Sequence, residues 1–213
     1  MNILHIDDHI IILDKPAGLS VLPEGWDKDA TFLVKQLEAE FGKPWVVHRL
    51  DKITSGVMVF ARTAEAHRDL SMQFENHQVE KIYHAILNGI PKWDEHTARH
   101  SLTANVGRNH RTVLDDRAGK RSATRFRVLE TLRATSLLEA IPETGRTHQV
   151  RVHAALLGHP LLGDTLYGAP STNLIARPAL HALSLTFTHP STRERLTFRA
   201  EYAEDFGAVV SNR

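Results

Sequence analysis

A chain of 213 residues without a cysteine excludes disulfide scaffolds, thiolate nucleophiles and cysteine-ligated zinc, and fits a reducing compartment, for which we expect the cytoplasm. Its hydrophobic content of 42% and charged content of 24% are those of a globular protein able to form one sizeable domain or two closely packed halves. No apolar run approaches the roughly 18 residues of a membrane span, Met1 to His5 lack the basic-then-apolar order of a secretory leader, and a net charge of +1 leaves any nucleic-acid role to how the charges are distributed.

Ile3 to Ile6 and Ile10 to Leu13 are β-type runs joined through Asp7-Asp8-His9, which predicts a hairpin. Pro16 and Gly18, within Asp14-Lys15-Pro16-Ala17-Gly18, end the second strand. Asp29 is placed to cap a helix from about Ala30, with Phe32, Leu33, Leu37 and Phe41 on one face and Gly42 at its end. Trp45 to Val47 and Val57 to Ala61 read as strands on either side of a polar turn, His48-Arg49-Leu50-Asp51-Lys52-Ile53-Thr54-Ser55-Gly56. The turn holds one carboxylate, Asp51, and the cations Arg49 and Lys52 favour its ionised form. Gly56 suits a point of close approach. On these residues alone the turn is either a salt-bridged loop or a reactive one. Thr63 then caps a helix to about Asn76 that buries Ala66, Leu70 and Phe74.

Lys81 to Leu87 alternates as a strand, with Tyr83, Ala85 and Leu87 on one face. Tyr83 serves either as core or as an aromatic platform. Pro91 to His100 reads as a polar loop. His96 and His100 stand four apart, a metal-binding interval on a helix, but the region is not helical in pattern and offers no third ligand. Residues 108–127 carry Arg108, Arg111, Arg117, Lys120, Arg121, Arg125 and Arg127 against Asp115 and Asp116, a local charge of +5. Such a stripe either follows phosphates or forms a solvated face. Ala123 to Leu129 and Ser136 to Ile141 predict an antiparallel pair. Gly145 allows a sharp turn, Thr147 is placed to cap a helix running to Leu157, and Gly158 and Pro160 close it. Arg146, just ahead of that helix, faces either solvent or a cleft. Leu180 to Phe187 and Arg195 to Ala200 read as closing strands.

Three ordered stretches carry a resemblance. His48-Arg49-Leu50-Asp51 followed by Thr54-Ser55-Gly56, Lys81-Ile82-Tyr83-His84-Ala85, and Thr144-Gly145-Arg146-Thr147-His148-Gln149-Val150-Arg151-Val152-His153 together resemble the motifs of the RluA family of RNA pseudouridine synthases. Asp14 to Leu19 is similar to that family's first motif, which supports the catalytic loop, and His159 to Gly168 also matches. The resemblance implies that Asp51 is the catalytic carboxylate, that Arg146 pairs with it and that Tyr83 lies against the target base. It also implies that Arg49 fills the space vacated by a flipped uridine. Arg117, Lys120 and Arg121 become candidate RNA contacts.

The reaction so implied breaks the bond from uracil N1 to ribose C1′ and rejoins the base through C5, with no metal or cofactor. The expected substrate is transfer RNA, ribosomal RNA or both, acted on by a monomer without an obligate protein partner. With the first motif already at Asp14, we expect one catalytic domain over residues 1–213 and no preceding RNA-binding domain. The implied fold is α+β, a mostly antiparallel mixed sheet with flanking helices, about three by pattern, and a central cleft. Two rivals are a non-catalytic RNA-binding or RNA-folding module and an RNA glycosidase. A glycosidase requires a second carboxylate, for which Glu143 and Asp164 are the candidates.

Overall fold

The N-terminal hairpin forms because Asp7 closes it: its Oδ1 accepts from the N–H groups of His9 and Ile10 at 2.7 and 2.9 Å. The computed structural model describes residues 1–23 and 31–211. Its strands are β1 (Asn2–Ile6), β2 (Ile10–Lys15), β3 (Trp45–Val46), β4 (Ser55–Ala61), β5 (Glu80–Asn88), β6 (Glu95–Val106), β7 (Arg111–Leu114), β8 (Lys120–Thr131), β9 (Thr135–Pro142), β10 (Leu180–Thr188) and β11 (Arg195–Arg199). The helices are α1 (Leu33–Phe41), α2 (Ala64–Glu75), α3 (Gln149–Leu156) and α4 (Glu204–Ser211). The α+β class holds, with antiparallel sheet dominant. No helix among the described residues is long and apolar enough to cross a membrane.

The chain divides into two compact units, Met1–Glu80 with Ala182–Ala203, and Lys81–His181 with Glu204–Arg213. In the first, β1–β2, β2–β4, β3–β4 and β10–β11 pair antiparallel. All seven residues of β4 are buried, as expected of a strand with both faces covered. Ile10, Ile12, Val57, Val59, Leu70 and Phe187 centre its core. Thr63 caps α2 by accepting from Ala66 N–H at 3.1 Å. Gln73, rather than Phe74, takes the third buried position of α2, because its amide exchanges two hydrogen bonds with the backbone of Thr188. Helix α1 starts at Leu33, later than the predicted Ala30. The Ser20 and Val21 carbonyls accept from the N–H groups of Leu33 and Val34, which meets the need of unpaired first-turn donors for partners. The predicted cap, Asp29, lies outside the described residues.

In the second unit β5–β9, β9–β8, β8–β6 and β6–β7 are antiparallel, and α3 packs on a core of Phe126, Leu138, Ala140, Val150 and Leu161. Here two expectations fail. Residues 95–100 are not a loop but the first half of β6, paired from Glu95↔Arg127 to Leu102↔Lys120. Its alternation rests on Ala98 and Leu102 alone, and the exposed partners hide it. His96 and His100 therefore lie four residues apart on a strand, about 13 Å, too far to share an ion. The closing helix α4 was also not predicted. It buries Phe206 and Val209 and carries Glu204 and Asp205 in its first turn, where the helix dipole favours acids.

Candidate active site

The Asp51 turn is built on the end of β2. Lys15 is fully buried, and its ammonium donates to the carbonyls of Pro16 and Leu19 at 2.8 Å each and of Lys52 at 3.1 Å. Gly18 N–H donates to the same Lys52 carbonyl at 2.8 Å. These bonds fasten the stretch after β2 to the residue that follows Asp51. Three charge-assisted bonds, about 1.5–3 kcal/mol each, offset the desolvation of the ammonium. Thr54 N–H returns to the Asp51 carbonyl at 3.0 Å, and Leu50, Thr54 and Ser55 are buried around it. Asp51 is half-buried and Arg49 exposed. His48 enters the turn with its Nε2 accepting from Val59 N–H at 3.1 Å and its ring stacked on Phe74 at 4.5 Å. Gly56 has φ +118°, and a Cβ there would fall 2.1 Å from the Ala182 carbonyl oxygen. The close approach expected at Gly56 is thus made by the backbone of β10.

In the second unit the segment before α3 is held by an amide. Gln149 Oε1 accepts from Arg146 N–H at 3.0 Å and the Thr144 hydroxyl at 2.7 Å, while its Nε2 donates to Ala123 O and Thr124 Oγ1. Thr147 does not cap the helix. His148 occupies the N-cap in left-handed backbone conformation, φ 55°, with Nδ1 bonded to Tyr167 Oη at 2.8 Å. His148, and not Gly145, takes the positive φ of this turn. His153 is fully buried between Thr124 and Ser122. Burial first, and His100 second, push its pKa down to about 4. Arg151 Nε and Nη2 each reach Asp164 at 2.7 Å.

Arg146 Nε donates to the Arg121 carbonyl at 3.3 Å. With Lys120, Thr103, Thr112 and Thr147 it lines a cleft of about 360 Å³. Arg121 is exposed, as is Arg117 in the turn where Asp115 accepts from its N–H. Farther along the stripe, Arg127 pairs with Glu139 at 3.0 Å. Tyr83 stands opposite Ala140 on β9 and packs half-buried against the α3 core. Lys81, two residues before it, donates to Thr144 O at 3.4 Å, which joins the Tyr83 strand to the Arg146 segment. Asp164 is committed to Arg151 with 0% of its side chain exposed, and Glu143 lies on the surface 3.4 Å from Arg99. Each of the two candidate second carboxylates of a glycosidase is thus engaged with an arginine.

Sequence reasoning did not find the supporting roles of Lys15, Gln149 and Lys81. A lysine at the end of an apolar strand and a glutamine in the first turn of an amphipathic helix are the signals available for the first two.

A family model described as RNA pseudouridylate synthase matches residues 9–156. The ribosomal large subunit pseudouridine synthase D of Zymomonas mobilis is 37% identical over an alignment 235 positions long, gaps included, covering all of this chain and 74% of that protein. The dual-specificity RNA pseudouridine synthase RluA of Haemophilus influenzae is 36% identical, covering 94% of this chain and 93% of its own. The solved structure of human RNA pseudouridylate synthase domain containing 4 superposes with a TM-score of 0.80 at 26% identity, over 98% of this chain and 91% of that one.

Proposed function

The chain belongs to the RNA pseudouridylate synthase family, and on that premise we propose that it isomerises uridines of ribosomal RNA, transfer RNA or both, with Asp51 as the catalytic carboxylate. The observation that carries the assignment is the Asp51 turn itself, which the buried ammonium of Lys15 fastens in place through Lys52 O. A group that must meet a reacting atom to within a fraction of an ångström needs such support. In this reading Arg146 is the cation that pairs with Asp51, and Tyr83 is the platform for a base taken out of its stack. Arg49 fills the gap that the base leaves. The bond from N1 to C1′ breaks, the bond from C5 to C1′ forms, C5 loses its proton and N1 gains one, so the product is an isomer. The enzyme acts as a monomer in the cytoplasm, and residues 1–213 work as one catalytic domain.

The test is tritium release from 5-tritiated uridine in unmodified transcripts of transfer and large-subunit ribosomal RNA. The wild-type chain releases tritium from at least one of them. Asp51→Asn releases none and binds the same transcript with unchanged affinity. Turnover by Asp51→Asn near the wild-type rate refutes the assignment, and free uracil in place of tritium makes the protein a hydrolase.

A further inference from the structure

Among the described residues, the cations that are buried outright are well supplied with partners. Arg151 has both oxygens of Asp164, Arg177 both oxygens of Asp205, and Lys15 three carbonyls. Lys81, half-buried on β5, is not so supplied. Among the described residues its ammonium meets the Thr144 carbonyl at 3.4 Å, at the long limit of a hydrogen bond, and pairs with no carboxylate. Burial pushes its pKa down to about 8, with no charged neighbour contributing. A desolvated cation without a counter-charge opposes folding, so its place in the fold calls for another account.

That place is informative. Residues two apart on a strand leave the same face, about 7 Å from one another, so Lys81 flanks Tyr83 on β5. Through Thr144 it touches the segment whose next residues are Gly145 and Arg146, and Thr144 is itself held to Gln149. Lys81 thus stands beside the residue proposed to receive the base and touches the segment that leads to Arg146. We propose that Lys81 is a phosphate anchor, its ammonium binding a backbone phosphate of the RNA strand beside the base that Tyr83 receives. The inference rests on the RNA reading of the site. RNA brings one anion per nucleotide, and it supplies the charge that the folded chain withholds.

The experiment compares the full chain with Lys81→Met, which keeps the stem and removes the charge, and Lys81→Arg, which restores a cation. Binding of unmodified transfer RNA and large-subunit ribosomal RNA transcripts is measured over a range of potassium chloride concentrations, beside tritium release from the same transcripts. Lys81→Met weakens binding about tenfold and lowers the slope of log affinity on log salt by about one. It also raises the thermal midpoint, because an uncompensated, desolvated charge is gone. Lys81→Arg returns the affinity to within about threefold of wild type. Unchanged affinity and slope in Lys81→Met overturn the proposal. So does a Lys81→Arg variant that binds normally yet has lost kcat, since that result makes the neutral amine a proton acceptor. A wild-type chain that binds RNA but releases no tritium ends the isomerase reading, while the salt slopes still decide the role of Lys81.

Discussion

Replacing Asp164 by asparagine exposes how much of the second unit depends on one buried ion pair. Arg151 and Asp164 meet through two 2.7 Å bonds, and their side chains are 3% and 0% exposed. Asp164→Asn keeps the shape but leaves the guanidinium without a counter-charge, a change that costs about 3–5 kcal/mol in buried pairs. Two contacts soften the loss. The carbonyl of the introduced amide can retain one of the two bonds, and the Tyr167 ring, 5.0 Å from the guanidinium, supplies about 0.5–2 kcal/mol of cation–π attraction. The expected net loss is about 3 kcal/mol. For a chain of this size one kcal/mol moves the thermal midpoint by about 2–4 °C, so the midpoint falls by about 10 °C in circular dichroism melts. The double variant Arg151→Met with Asp164→Leu removes both charges and recovers at least half of that loss. Folded Asp164→Asn retains its isomerase rate, since Asp164 contributes no chemistry. A loss below about 1 kcal/mol, or a double variant less stable than the single one, refutes the reasoning.

Two further outcomes follow from titration and surface charge. His153 accepts a proton only near pH 4 in the folded chain but near pH 6.5 when unfolded. The unfolded state therefore takes up the extra proton between those values, and stability is lost as pH falls through that window. At pH 5 the loss is about 2 kcal/mol relative to pH 7. Urea midpoints of the wild type and of His153→Asn test it, and identical pH dependence in the two rejects it. Replacing Arg117, Lys120 and Arg121 together by alanine weakens RNA binding and lowers the salt slope by about three. Arg146 keeps its bond to Arg121, which is made to the backbone carbonyl. An unchanged slope makes the stripe a solvated face.

Much of the chain was legible because its determinants are local. The β1–β2 hairpin is closed by Asp7 over three residues, α2 is capped by Thr63 over three, and Val57 to Ala61 of the buried strand β4 form an unbroken apolar run. Where the partners are remote, the reading failed. The polar residues of β6 gave no sign of a strand, since what makes 95–100 extended is hydrogen bonding to β8 across a connection that includes β7. The start of α1 depends on the carbonyls of Ser20 and Val21, and the start of α3 on a left-handed His148 tied to Tyr167.

The candidate site divides in the same way. Residue identity within a short string, His48 to Gly56, Lys81 to Ala85 or Thr144 to His153, is a property of the sequence, and it was enough to single out Asp51, Tyr83 and Arg146 as candidates and to indicate an RNA isomerase. Burial is not such a property. The dielectric around a side chain, and the groups that replace its water, are summed over neighbours brought from other parts of the chain. Only the folded structure could therefore distinguish three similar-looking lysines: Lys15, buried and saturated by carbonyls; Lys81, half-buried and short of a counter-charge; and Lys120, exposed at the rim of a cleft.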